Sequence, residues 1–320
     1  MQGLYLGLNG AFLDRFSKDS GTLTLLASAP NGMEVMMQEI EPGRYFCLTP
    51  GEKDNTFEFF YVIEGSLIHG ENDNEVIIKK GDYVYFSDLR QVAHFKTIEP
   101  CRLLYLSTQP VFNYINSCLQ ELVNMVAAVE EKDTCTLNHT QRLQHYALRI
   151  GEKLNFTKDR LIALGYAALL HDVGKVNIPA EVLMKPGPLT SSEFDLVKKH
   201  PVDGRNMVQK TFLSHIGDIV EQHHERLDGS GYPHGLKNND ILLEARIVAV
   251  VDCYDAMISD RPYRKGKDPQ VAIEELISLS GQLYDSMIVD TLVRLLIEDG
   301  VIKSDAKQVV ASDEYGCIVL

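Results

Sequence analysis

The chain has 320 residues, with Lys+Arg 31 against Asp+Glu 45, a formal net charge of −14 and hydrophobic residues at 45%. That length suggests about two domains, and the apolar and charged fractions are those of folded globular chains, which excludes disordered and fibrous classes. The acidic balance excludes a protein that tracks a nucleic-acid polymer, although a local basic cluster can still hold a small anion.

No uninterrupted apolar run reaches the roughly 18 residues of a membrane span. The opening Met1-Gln2-Gly3-Leu4-Tyr5 lacks the basic-then-apolar order of a signal peptide. Six cysteines, at 47, 101, 118, 135, 253 and 317, are scattered without a Cys-x-x-Cys pair, as in a reduced compartment. The expectation is a soluble cytoplasmic protein without membrane insertion.

Residues 1–34 carry no motif and are expected as extra strands. From 35 to 108 the chain breaks into short β-branched and aromatic segments such as Phe57–Ile63, Glu75–Ile78 and Tyr83–Phe86. Turn signals divide them at Pro42-Gly43, Pro50-Gly51, Glu64-Gly65, Asn72-Asp73-Asn74 and Gly81-Asp82. This spacing predicts a small antiparallel β-barrel or sandwich. The segments YVIEGSLIHG and KKGDYVYFSDLRQVAHF resemble the two conserved hairpins of the cupin family. Metal-binding cupins carry His-x-His before the first hairpin, where this chain reads Asn55-Thr56-Phe57-Glu58, so only Glu58 and His94 correspond to that ligand set. Two ligands are too few for a transition-metal site. The domain 1–111 is therefore expected to be metal-free, a sensor of an unidentified small ligand or a dimerisation domain that makes the protein a homodimer.

From Phe112 the period becomes helical, with Ile115, Leu119, Leu122, Val123 and Val126 on one face, which predicts a linker helix over 112–132. The remainder, 133–320, reads as successive helices. Leu143, Tyr146, Ala147, Ile150 and Leu154 form one stripe; Leu161, Leu164, Ala168 and His171 form another. Thr190 with Glu193 is a capping box, and Asp268-Pro269 caps a further helix with proline at its first position. A weakly alternating tail ending Cys317-Ile318-Val319-Leu320 is expected as a short hairpin. The predicted fold class is thus multidomain, α and β: an N-terminal antiparallel β-barrel followed by an all-α domain.

Eight of the ten histidines fall between 139 and 234. His139 and His171 lie on buried stripes, and Asp172 follows at once; a buried pair of this kind is costly without a partner. His200, the pair His223-His224 and Asp252, at the end of the apolar run Ile247–Val251, complete five histidines and two aspartates. Mixed imidazole and carboxylate donors suit Fe, Mn, Zn and related ions rather than Ca²⁺. Seven ligands exceed one tetrahedral site and suit two ions sharing a carboxylate, an arrangement for in-line attack on a phosphate ester. His145 and His215, lone histidines without such company, read as ordinary packed residues, His234 as a surface residue, and Asp255 as a supporting carboxylate rather than a ligand. Gly229-Ser230-Gly231 has the composition of a tight turn.

HDVGK at 171–175, HP at 200, HHERLDGSGYP at 223–233 and VVDCYDAMISDRPYR at 250–264 are similar to the motifs of the HD-GYP family, bacterial phosphodiesterases of the HD superfamily that hydrolyse cyclic di-GMP. The resemblance covers about residues 114–310. It implies a helical HD domain around a centre of two divalent transition-metal ions (Fe or Mn, with Zn, Ni or Co as alternatives), and a product of pGpG or GMP. It also implies that His139, His171, Asp172, His200, His223, His224 and Asp252 are the ligands, with Asp172 bridging. Lys175, Arg261 and Arg264 match contacts to substrate phosphate, and Gly231-Tyr232-Pro233 is the signature loop. A third ion in some members uses a glutamate where this chain has Cys135, which reads as a buried thiol, so two ions are expected. The alternatives are an HD phosphohydrolase for another nucleotide, such as a mixed cyclic dinucleotide, and a non-catalytic cyclic-dinucleotide binding module. The mark of the latter, a lost ligand or lysine, is not found at these positions.

Overall fold

The computed structural model describes residues 5–8, 10–18, 21–48, 56–70, 75–87, 89, 92–130, 137–211, 213–260 and 265–303. The chain divides into two compact units, Met1–Glu121 and Leu122–Leu320. Arg261 and Arg264, Cys135 and the expected C-terminal hairpin lie outside the described residues.

The first unit is antiparallel throughout. Its strands are β1 (Asp14–Lys18), β2 (Gly21–Ser28), β3 (Glu34–Ile40), β4 (Tyr45–Leu48), β5 (Phe57–Glu64), β6 (Ser66–His69), β7 (Val76–Lys79), β8 (Tyr83–Ser87), β9 (Ala93–Thr97) and β10 (Cys101–Ser107). They form two sheets, ordered β1-β2-β3-β10-β5-β8 and β4-β9-β6-β7. From β3 onward nearly every connection changes sheet, as in the two-sheet jelly rolls to which cupins belong. The expected β1 and β2 extend one sheet as a hairpin, with Arg15 opposite Thr24.

The segment anticipated as a first hairpin is a corner instead. β5 pairs with β10 and β8, whereas β6 pairs with β7 and β9, and Gly65 sends the chain from one sheet to the other. Gly65 has φ +83°, and a Cβ there would stand 2.2 Å from the Pro100 carbonyl oxygen, so only glycine makes this turn.

Alternation along β5 buries Glu58, Phe60 and Val62, and the space between the sheets is filled by rings: Phe46 stacks on Phe95 at 5.0 Å and Phe60 meets Phe95 edge-on at 5.2 Å. Burial of each such side chain stabilises the unit by about 1.5–3 kcal/mol. Glu58 lies inside and accepts a hydrogen bond from the Tyr105 hydroxyl. The neighbours of His94, Ala93 and Phe95, pack against the core, so His94 takes the opposite face of β9. The two residues that correspond to a cupin ligand set therefore face apart.

The helix α1 (Phe112–Glu130) begins inside the first unit. Phe112 is fully buried there, and its amide donates to Glu34 Oε2 at 2.8 Å. The second unit is helical: α2 (Leu137–Lys153), α3 (Lys158–Leu170), α4 (Ala180–Leu183), α5 (Ser191–Val197), α6 (His200–Val208), α7 (Gly217–Gln222), α8 (Leu243–Ile258), α9 (Pro269–Ser278) and α10 (Ser286–Glu298). Thr190 and Glu193 make both halves of the capping box of α5, and the Asp268 side chain accepts from the Gln270 amide at the start of α9. Helix α8 is buried on successive positions from Ile247 to Val251. A helix apolar on all sides belongs in the middle of a bundle, and α8 is accordingly packed by α2, α3, α7, α9 and α10.

Candidate metal centre

Each candidate ligand sits where a helix begins or ends, or on a buried helix face. His171 caps the C-terminus of α3, and Asp172 opens a 3-10 turn over Val173–Asn177. His200 is the first residue of α6, and His223 caps α7 with His224 next to it. His139 projects from α2 and Asp252 from α8.

Carbonyls in the last turn of a helix lack intrahelical donors, and three imidazoles use carbonyls that lie three residues back. His171 Nδ1 bonds Ala168 O at 3.0 Å, His200 Nδ1 bonds Val197 O at 2.7 Å, and His223 Nδ1 bonds Val220 O at 2.6 Å. A carbonyl can only accept, so Nδ1 carries a proton in all three rings, and Nε2 is the nitrogen whose lone pair an ion would take.

Those lone pairs converge. His200 Nε2 and His223 Nε2 face each other at 3.3 Å, which is repulsive unless a cation lies with them. The Nε2 atoms of His139 and His171 are buried without a hydrogen-bond partner. Orphaned, inward-facing nitrogens of this sort fit a metal. Two groups result: Asp172, His200, His223 and His224, and His139, His171 and Asp252, the donor atoms within each lying within 4.8 Å of one another.

Asp172 faces both groups. Its Oδ1 lies 3.3 Å from His200 Nε2 and 4.0 Å from His223 Nε2, while Oδ2 lies 3.2 Å from His171 Nε2. Lys175 Nζ stands 2.7 Å from the same Oδ2. Burial alone would raise the Asp172 pKa; the Lys175 and His171 charges override it and hold the carboxyl well below its usual range. Burial, followed by the neighbouring His171 and His200, lowers the pKa of His223 well below 6.5, and burial with His223 does the same for His224. Both rings are therefore neutral, as ligands must be. A cavity bounded by Val126, Val129, His139, Leu170, His171 and Asp172 opens on this centre.

The loop Gly231-Tyr232-Pro233 lies against it. The Tyr232 ring is 4.8 Å from that of His224, and the Tyr232 amide donates to His224 O at 3.2 Å. A Cβ on Gly231 would stand 2.4 Å from the Arg226 nitrogen, so this loop is a close backbone approach as well as a turn. Glu225, which the motif reading left without a role, is buried and accepts from the amides of His234 at 2.6 Å and Leu236 at 3.0 Å. His234 itself is half exposed and reaches Glu221 at 3.3 Å.

Close packing also sets the position of His200. A Cβ on Gly174 would stand 2.0 Å from His200 O and 2.6 Å from the Gly204 nitrogen. Gly174→Ala must push α6 away from the 3-10 turn and with it His200 from Asp172. The expected result is a destabilisation of about 2–3 kcal/mol with weakened metal binding, read by thermal unfolding and metal content; unchanged values for both would refute this account.

A family model described as HD domain matches residues 123–288, just over half of the chain. The chain is 40% identical over 178 residues to a cyclic di-GMP phosphodiesterase of Thermotoga maritima, covering 55% of this chain and 48% of that protein. It is also 40% identical over 178 residues to a cyclic di-GMP phosphodiesterase response regulator of Xanthomonas campestris pv. campestris, covering 55% and 47%. With a 3'3'-cGAMP-specific phosphodiesterase of Vibrio cholerae the identity is 34%, over 53% of this chain and 40% of the relative. The chain thus spans about half the length, or less, of these curated relatives.

Proposed function

The chain belongs to the HD domain family, and we propose that it is a metal-dependent phosphodiesterase that opens a cyclic dinucleotide, cyclic di-GMP first, to pGpG or GMP. The observation that carries this reading is Asp172, partly buried between two groups of imidazole and carboxylate donors and turning one oxygen to each. The named activities of the relatives, on cyclic di-GMP and on 3'3'-cGAMP, supply the substrate class.

The seven residues would hold two divalent transition-metal ions; bound there, such ions supply Lewis acidity toward the phosphodiester and a nucleophile at neutral pH. The chain supplies the rest. Backbone carbonyls orient three of the rings, so their Nε2 atoms already point to the centre before an ion binds. Lys175, held on Asp172, has an ammonium placed to meet a phosphate oxygen and to offset charge that builds in the transition state. Tyr232 packs its ring against that of His224 and so limits how that ligand can turn. Arg261 and Arg264 are assigned to further phosphate oxygens, where two guanidiniums offer forked donors. The first unit is the regulator in this reading, since α1 starts with Phe112 fixed inside it by Glu34.

Purified protein loaded anaerobically with Fe²⁺ or Mn²⁺ is expected to convert cyclic di-GMP to pGpG or GMP, followed by chromatography beside 3'3'-cGAMP. Turnover of cyclic di-GMP at a rate at least equal to that of 3'3'-cGAMP supports the reading. Preference for the mixed dinucleotide would move the substrate, and binding without turnover at full metal content would make the protein a binding module.

A further inference from the structure

The two donor groups are supported in different ways. His200 and His223 are held by main-chain carbonyls of their own segments. His139 is held by a side chain, its Nδ1 bonding Asp255 Oδ2 at 2.5 Å. Asp255 is buried, with 2% of its surface exposed, and it accepts three further bonds. Arg142 grips it as a fork, Nε to Oδ1 at 2.6 Å and Nη2 to Oδ2 at 2.9 Å. Ser259 Oγ donates to Oδ2 at 2.9 Å and itself accepts from Arg142 Nη2 at 2.8 Å.

Helical geometry makes this a two-sided clamp. His139 and Arg142 lie three apart on α2, and Asp252 and Asp255 lie three apart on α8, so each pair shares a face. His139 stands between the two carboxylates, Nδ1 on Asp255 and Nε2 toward Asp252 at 3.8 Å. A ring held this way depends on the carboxylate behind it for orientation and basicity.

We infer that Arg142, with Ser259, is a positioning residue that sets the affinity of the His139, His171 and Asp252 group for its ion by fixing Asp255 behind His139. The inference rests on the proposed two-ion reading. It makes the two groups unequal: removing the clamp weakens one and spares the other.

The test is metal content and affinity, measured by equilibrium titration with Mn²⁺ and elemental analysis on the full chain. Wild type is expected to bind two ions. Arg142→Met, which keeps the stem of a part-exposed side chain, is expected to keep one ion at wild-type affinity and to bind the second ~10–100-fold more weakly. Ser259→Ala, a smaller change, is expected to weaken the same ion by less and keeps the inference testable if Arg142→Met does not fold. Arg142→Lys, without the fork, is expected to restore only part of the loss. Two ions at wild-type affinity in both Arg142→Met and Ser259→Ala, or equal weakening of both ions, would overturn the inference. Fewer than two ions in wild type would overturn the two-ion reading itself, and the inference with it.

Discussion

Asp172→Asn is expected to reduce hydrolysis of cyclic di-GMP by ~10³-fold or more, about 4 kcal/mol of transition-state stabilisation, and to leave the chain unable to hold two ions together. The substitution keeps the volume and removes the charge. In the native protein Oδ1 serves the His200 side and Oδ2 the His171 side, so one neutral amide has to replace two anionic donors. Its NH₂ group can offer no lone pair to whichever side it faces. Lys175, 2.7 Å from Oδ2, loses its ion-pair partner as well, so the ammonium is no longer held at the edge of the centre. Hydrolysis measured by chromatography and metal content measured on the same sample check both halves. Activity within tenfold of wild type, with two ions retained, would remove Asp172 from the role given to it.

Two of the candidate ligands, His139 and His171, are legible from helical spacing, and the full set of seven is what the resemblance to the HD-GYP motifs implies. His171 continues the stripe of Leu164 and Ala168, and all three are buried. The supporting carboxylate Asp255 was legible as such, but its partner was not: Arg142 looks like one more surface cation until α2 and α8 are seen side by side. The available signal was the matched three-residue spacing of His139 with Arg142 and of Asp252 with Asp255. Glu225 gave no signal, since its partners are the amides of His234 and Leu236, and main-chain donors exist at every residue except proline. In the first unit, alternation gave the strands but not their partners. Gly65 reads equally as a hairpin turn and as a corner between sheets; the approach of Pro100, distant in sequence, decides it. Glu58 and His94 likewise look alike as polar residues in strands, and only the pairing of β9 separates their faces.

Metal binding is expected to release close to one proton at neutral pH, because the centre without metal holds a proton on His171. Burial alone would drive that proton off. The Asp172 carboxylate at 3.2 Å and Asp252 at 3.8 Å outweigh burial and push the His171 pKa from 6.5 up to about 9. An ion needs the neutral ring, so its affinity is expected to rise about tenfold per pH unit between roughly pH 7 and 9 and then level off. The stability of the metal-free protein runs the other way. A pKa raised on folding stabilises fully below the unfolded value, near 6.5, and that contribution is lost as pH climbs toward 9. His223 and His224, whose pKa values are lowered, act on the other side: below about 6.5 the unfolded chain takes up protons that these folded rings refuse, and stability falls. The metal-free protein is therefore expected to have its highest Tm near pH 6.5, with the alkaline decline offset once metal is added, since an ion that binds only the folded chain stabilises it more as its affinity grows. Calorimetric titrations with Mn²⁺ in buffers of different ionisation enthalpy give the proton count, and thermal unfolding from pH 6 to 9 with and without metal gives the curves. No proton release at pH 7.5, or a metal-free Tm that rises between pH 7 and 9, would show that His171 is already neutral and that the carboxylates around it do not hold a proton in the place of the ion.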